Sequence, residues 1–185
     1  MRRRALDYGH KEAIMTDHIE LNPVYHLTVG TVGEPGNRTF YLQGSQGARV
    51  ISLVIEKEQA AMLASSFQSL LDELSNKYPE MTREVEEPVW TDLRLREPIE
   101  TMFRVGHMGL GYNESSDQVV LVAYELVEEG AEPNVVSFWL SRAQVKALIQ
   151  HANDVVNAGR PICGNCGRPM DADGHFCPNR NGHAH

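Results

Sequence analysis

The N-terminal half of the chain opens with short apolar runs that are separated by turn-forming residues. Three runs rich in β-branched and aromatic residues predict strands at residues 24–30, 38–43 and 50–55. The segments between them, 34–37 and 44–47, contain glycine with polar residues and predict turns. The third run is apolar at nearly every position, which is typical of a strand that is covered on both faces.

After the third run, apolar residues recur at every third or fourth position, and this spacing predicts a helix over residues 57–76. Their side chains form one stripe, made of Ala60, Leu63, Ala64, Phe67, Leu70, Leu71 and Leu74. The pattern therefore predicts a helix that buries one face and exposes the other.

The same order of patterns returns in the second half of the chain. Strand-like runs cover residues 102–108, 119–127 and 135–140, and a second helical stripe follows. Ser141 begins a capping box, S-x-x-Q, and Gly159 is placed to end the helix. The second parts of the two halves align without gaps, with Gln59 opposite Gln144, Leu63 opposite Leu148, and residues 51–55 opposite 136–140.

We interpret the chain as an α+β protein with an internal duplication. Two strand–strand–strand–helix units, about 24–76 and 101–159, are expected to form one antiparallel or mixed sheet with both helices on one face. An acidic, proline-containing linker, 77–100, joins them as a solvated connector with one short strand near 89–93. The predicted body is 21–160, preceded by a flexible leader, 1–20, and followed by a tail, 161–185.

Composition narrows the range of functions. The 185 residues are 42% hydrophobic and 23% charged, with a net charge of −8, so a nucleic-acid partner is disfavoured because phosphate contacts need a basic face. No apolar run approaches the roughly 20 residues that span a bilayer, and the first residues lack the apolar segment of a secretory signal. The expected partner is a protein or a small molecule.

The chemistry of the chain is concentrated in its tail, which contains all three cysteines and three of the eight histidines. Cys163-x-x-Cys166 followed by Gly167 has the form of a zinc knuckle, in which the glycine relieves a tight turn so that amides can point at sulfur. Cys177 is the predicted third ligand. Three clustered cysteines favour a metal and a reducing cytoplasm over a disulfide framework.

The fourth ligand is His175 or His183. His175 shares one side of an extended segment with Cys177, whereas His183 lies beyond a loop that is long enough to fold back. A redox role for the C-x-x-C pair is the competing interpretation, but redox pairs usually open a helix. A structural zinc ion is favoured over a catalytic one because no glutamate stands beside the ligands, although Asp171 and Asp173 are near.

Other groups of residues give weaker evidence of a functional site. The glycines at 30, 33 and 36 lie between two strands with no helix after them, so they indicate a hairpin rather than a phosphate loop. Gly33, Gly36 and Arg38 remain weak candidates for anion binding. Three histidines outside the tail are interpreted as structural, namely His26, His107 and His151.

Three segments of the chain resemble an uncharacterised bacterial family, the domain-of-unknown-function family 3090. They are residues 30–43, 103–110 and the knuckle with its ending G-H-F-C-P-N-R-N-G, and the resemblance runs from about Val24 to Cys177. The resemblance implies His175 as the fourth ligand, since Gly174, His175, Cys177 and Pro178 match the family's pattern, which Asn179 does not follow. The family has no assigned activity, so the resemblance implies no catalytic residue.

Our leading hypothesis is a cytoplasmic zinc-containing binding or adaptor protein with a structural Cys3His site and no catalytic residues. The first alternative is an enzyme acting on a phosphorylated or nucleotide-like small molecule in a groove between the two units. Arg38 and the glycine hairpins would supply its anion contacts, and a deep pocket that holds Arg38, His107 and an acid would favour it. The second is nucleic-acid binding through the knuckle, with phosphate contacts from Arg160, Arg168 and Arg180.

Overall fold

The fold is α+β, with seven strands and two helices in the part of the chain that the structure describes. The structure is a computed structural model, and it describes residues 17–79, 92–159, 162–168, 170 and 175–179. The elements, in chain order, are β1 (His18–Leu21), β2 (His26–Val32), β3 (Thr39–Gln46), β4 (Arg49–Ile55), α1 (Lys57–Lys77), β5 (Thr101–Asn113), β6 (Gln118–Glu125), β7 (Val135–Leu140) and α2 (Arg142–Asn157).

All seven strands belong to one mixed sheet in the order β1-β7-β6-β5-β4-β3-β2. Strands β2 to β4 form one antiparallel meander and β5 to β7 form another. The two meanders join where β4 and β5 run parallel, and β1 adds to β7 in parallel. The predicted pair of meanders in a mixed sheet is therefore what the described residues contain.

The first strand lies partly inside the segment that was expected to be a flexible leader. Residues 18–20 belong to β1, whereas residues 1–16 are outside the described part of the chain. Beyond β1, the amide of Val24 donates to the carbonyl of Trp139 in β7, at 2.9 Å, and the amide of Tyr25 donates to that of Ser45 in β3, at 2.9 Å. Since β7 and β3 stand near opposite ends of the strand order, these bonds show that the sheet is strongly curled.

The interior of this curled sheet is tightly packed. Phe138 of β7 is fully buried, and a methyl group added to Gly44 of β3 would lie 2.4 Å from its ring. Two strands that are four places apart in the sheet thus touch across the core. The large side chains that are fully buried there include Leu27, Leu42, Leu53, Phe67, Leu121, Leu140 and Leu148.

A glutamine joins the start of each helix to a distant backbone segment, which is β5 for α1 and the segment between β1 and β2 for α2. The side-chain oxygen of Gln59 accepts from the backbone amide that precedes α1, at 2.8 Å, and its Nε2 donates to the carbonyls of Val105 and Gly106 in β5. Gln144 does the same for α2: it accepts from the amide of Ser141, at 2.8 Å, and donates to the carbonyl of Val24, at 3.0 Å. Each glutamine therefore caps a helix and positions it on the sheet.

Part of the predicted solvated connector is hydrogen-bonded to the sheet, and most of its residues from 92 to 100 are exposed. Gln43 exchanges two hydrogen bonds with the backbone of Arg96, at 2.7 and 3.0 Å, and the Arg96 guanidinium donates to Ser45. Leu95 covers Gly30 so closely that an added methyl group would lie 2.5 Å from its Cγ. Residues 80–91 are outside the described part, as is most of the strand expected at 89–93, and residues 92–93 form no strand.

No helix among the described residues is long and apolar enough to cross a membrane.

Candidate metal centre

Four side chains of the tail converge on one point. They are those of Cys163, Cys166, His175 and Cys177, and each offers one donor atom, all within 4.8 Å of one another. The sulfurs of Cys163 and Cys177 are 3.9 Å apart, and the sulfur of Cys166 is 3.4 Å from Nε2 of His175. Cys163 and Cys177 are buried, and the other two are partly buried.

These separations fit a single tetrahedral metal ion. With metal–sulfur bonds of about 2.3 Å and a metal–nitrogen bond of about 2.0 Å, a tetrahedron has sulfur–sulfur edges of about 3.8 Å and sulfur–nitrogen edges of about 3.5 Å. The Cys163–Cys177 separation of 3.9 Å and the Cys166–His175 separation of 3.4 Å lie close to those edges. A disulfide requires sulfurs at about 2.05 Å, and all three cysteines are free.

The first two cysteines are carried by a tight turn whose shape depends on Gly167. Its amide donates to the carbonyl of Cys163, at 2.9 Å, and the amide of Cys163 donates to the carbonyl of Arg168, also at 2.9 Å. Gly167 has φ +69°, a conformation that a residue with a Cβ adopts at a cost. No helix begins at this turn, which differs from the usual setting of a redox C-x-x-C pair.

The electrostatics of the two buried sulfurs differ. Amide groups of Asn165 and Cys166 donate to the sulfur of Cys163 and lower the pKa of its thiol. Burial raises the pKa of the Cys177 thiol, and the amide of Asn179, which donates to that sulfur, offsets part of this effect. Amides aimed at sulfur favour the thiolate, which is the form that binds a metal.

Asn179 also joins the two loops that carry the donor atoms. Its side-chain amide donates to the carbonyl of Asn165 at 2.7 Å. This bond cross-links the turn at 163–166 and the loop that follows Cys177. The other histidine considered as a ligand, His183, lies outside the described residues, as do Asp171 and Asp173.

The structure places two of the three weak anion-binding candidates at one cavity and the third outside it. Gly36 and Arg38 line a cavity of about 540 Å³, and Gly33 does not. Gly33 has φ +104°, and an added methyl group would lie 2.5 Å from the carbonyl oxygen of Asn37, so its role is in the hairpin turn. The sequence had not singled out Lys57, which lines the same cavity as Arg38.

None of the three histidines His26, His107 and His151 lines the cavity of Arg38. His107 lines a separate cavity of about 310 Å³ and stacks on Tyr124 with ring centroids 4.3 Å apart. His151 is hydrogen-bonded to the carbonyl of Val29 at 2.9 Å. His26 lies 3.1 Å from the carbonyl oxygen of Asp92, and burial together with the charge of Arg96 lowers its pKa.

Comparison with known proteins identifies one family. A family model described as "Protein of unknown function (DUF3090)" matches residues 19–177, which include the sheet, both helices and the four donor residues. No curated protein matches the chain. No solved structure matches it either.

Proposed function

We propose that this chain, which belongs to the DUF3090 family of proteins of unknown function, is a cytoplasmic binding or adaptor protein whose C-terminal segment is held by one structural zinc ion. The family match confirms the resemblance carried by the sequence motifs. The observation that carries the proposal is the Cys3His cluster, with its donor separations close to the edges of a zinc tetrahedron.

The donor set is what favours zinc and a structural role. Three thiolates and one imidazole are the ligands that zinc prefers, and four protein donors leave no position for a water molecule. The segment that carries them is short, with few apolar side chains to bury, so metal binding would supply its folding free energy. Three free thiols in one chain are also what a reducing compartment such as the cytoplasm maintains.

The alternatives receive less support from the described residues. A pocket holding Arg38, His107 and an acid would favour the enzyme hypothesis, but Arg38 and His107 line different cavities, and none of the described residues that line the cavity of Arg38 is acidic. For nucleic-acid binding, Arg168 is exposed, Arg160 and Arg180 are outside the described part, and the net charge of −8 opposes the interaction.

We further infer that the two halves arose by duplication of one unit. Support comes from Gln59 and Gln144, which make equivalent bonds at equivalent positions. It also comes from the strand pairing. At the start of the second half, one strand, β5, pairs with both β4 and β6. At the start of the first half, two strands make the corresponding pairs, β1 with β7 and β2 with β3.

Replacing Cys166 by serine tests the structural role of the metal. We expect Cys166→Ser to lose stoichiometric zinc, to expose the tail to limited proteolysis and to lower the melting temperature by a few degrees, with the body still folded. The matched control is Gly164→Ser in the same turn, because a Cβ at Gly164 would meet nothing within 4 Å. Equal protease sensitivity of the tail in wild type and Cys166→Ser would contradict the proposal.

The same measurements identify the fourth ligand. Loss of zinc in His175→Ala but not in His183→Ala is the expected result, because Nε2 of His175 lies among the three sulfurs. Loss of zinc in His183→Ala but not in His175→Ala would identify His183 as the fourth ligand.

A further inference from the structure

The two halves place a basic residue at the same point, the first residue of each helix. Lys57 begins α1 two residues after Ile55, the last residue of β4, and Arg142 begins α2 two residues after Leu140, the last residue of β7. The preceding hairpin also corresponds in the two halves. Phe40 pairs with Ile55, and Val119 pairs with Leu140.

Two positions before Phe40 and two positions before Val119, the two halves carry residues of opposite charge. In the first half the residue is Arg38, before Phe40, and in the second half it is Asp117, before Val119. Equivalent places in the two halves therefore hold a cation and a carboxylate.

In the second half, this arrangement is a completed ion pair. Nε of Arg142 donates to Asp117 at 2.8 Å, and its Nη2 donates to the hydroxyl of Tyr112 at 2.8 Å. The Tyr112 hydroxyl donates in turn to Asp117 at 2.6 Å. Only 7% of the Arg142 side chain is exposed, so the second half supplies the anion for its own helix-start cation.

In the first half, Arg38 and Lys57 line the same cavity of about 540 Å³, and none of the described residues that line it is acidic. A methyl group added to Gly159 would lie 3.6 Å from Nζ of Lys57 and 3.7 Å from Nη2 of Arg38. Neither cation forms an ion pair with a residue of the described part of the chain. Two like charges that approach one point repel each other, and an anion between them would remove that cost.

We propose that this cavity binds the phosphate group of a small phosphorylated molecule, with Arg38 and Lys57 as its anion ligands. Arginine matches phosphate geometry with two parallel hydrogen bonds, and lysine contributes a point charge. Phe40, Val156 and Ile162 supply an apolar wall for the rest of the ligand, and the volume is in the range of small-molecule sites. The inference rests on the proposed binding function and names its ligand class.

One wall of the cavity adjoins the candidate metal site in sequence. Ile162, which lines it, directly precedes the predicted ligand Cys163. A bound metal would fix this wall, whereas the two cations belong to the body and do not depend on the metal.

Titration calorimetry with two probes, phenyl phosphate and inorganic phosphate, tests the site on the full-length zinc-loaded protein at low salt. We expect phenyl phosphate to bind more tightly than inorganic phosphate because of the apolar wall. Arg38→Ala and Lys57→Ala should each weaken binding by about tenfold or more. The control variants are Arg49→Ala and Lys146→Ala, which remove exposed cations that do not line the cavity, and each should retain wild-type affinity.

A carboxylate introduced into the cavity provides a second, independent test. The carboxylate that Gly159→Asp introduces should take the place of the ligand's phosphate between the two cations, so we expect this variant to abolish phenyl phosphate binding. If the two cations serve only to complement the C-terminus of α2, their alanine variants will lower the melting temperature and wild type will bind neither probe, which would overturn the proposal. Equal affinity in wild type and Arg38→Ala would also overturn it.

Zinc content measured on the same samples keeps the two proposals separate. One zinc per chain without phosphate binding would reject the anion site alone. Phosphate binding by a chain that holds no zinc would reject the metal proposal alone.

Discussion

Replacing Gly44 by alanine is expected to destabilise the protein by about 3 kcal/mol, the upper end of the usual cost of overpacking. The added methyl group would lie 2.4 and 2.7 Å from two ring carbons of Phe138 and 3.2 Å from a methyl group of Leu27. Phe138 is fully buried, so its ring has no solvent-filled space into which to move. Urea unfolding followed by circular dichroism measures the change.

Gly109→Ala is the matched control, because Gly109 is also a strand glycine and an added methyl group there would meet nothing within 4 Å. We expect it to be neutral or to stabilise the fold by up to about 1 kcal/mol, through the lower entropy of the unfolded chain. Equal free energies of unfolding for the two variants would mean that β3 and β7 are not in contact across the core.

Replacing Arg142 by alanine is expected to cost about 2 kcal/mol. Breaking a buried ion pair costs about 3–5 kcal/mol when the remaining charge stays buried, and the cost is lower here because 42% of the Asp117 side chain is exposed. Tyr112 would keep its bond to Asp117 but lose the one from Arg142. Burial and the neighbouring carboxylate raise the pKa of Tyr112, so its hydroxyl stays protonated and continues to donate.

Arg94→Ala is the matched control for that variant. Arg94 pairs with Asp92 at the same 2.8 Å, but 87% of its side chain is exposed, so solvent screens the pair. We expect no measurable change in the free energy of unfolding for Arg94→Ala. A loss equal to that of Arg142→Ala would show that burial does not decide the strength of these pairs.

Patterns that depend on local periodicity predicted the secondary structure well. The helix expected at 57–76 spans Lys57–Lys77, and the strand expected at 135–140 spans Val135–Leu140. In the helix, the apolar residues that set the period pack in or against the core, and in the strand the alternate residues Val136, Phe138 and Leu140 do so. The capping glutamine of the second helix was also legible from sequence, since Ser141 and Gln144 have the spacing of a capping box.

Features that depend on distant pairing could not be predicted. Strand β1 has four residues, only one of them fully buried, and it exists because β7 offers a free edge more than 100 positions away. The segment at 92–96 is polar and largely exposed, and the side chains of Gln43 and Ser45 bind the backbone and the guanidinium of Arg96. Neither partner can be identified from the period of the chain alone.

The two candidate sites differ in the same way, since one is built from residues close in sequence and the other from distant elements. The spacing C-x-x-C and a third cysteine predicted three residues of the candidate metal site because these residues lie close in sequence, but spacing alone left His175 and His183 open as the fourth. The cavity of Arg38 was only partly predicted, because Lys57 and Gly159 come from other elements. The gapless alignment already placed Lys57 opposite Arg142, but only the strand register places Arg38 opposite Asp117.

The central claim is that Cys163, Cys166, His175 and Cys177 hold one structural zinc ion. Elemental analysis of untagged protein, purified without chelator and dialysed, tests it most directly. Our account predicts about one zinc per chain, retained through dialysis. A chain without metal, in which Cys163 and Cys166 form a disulfide reversibly, would contradict the account and make the tail a redox element.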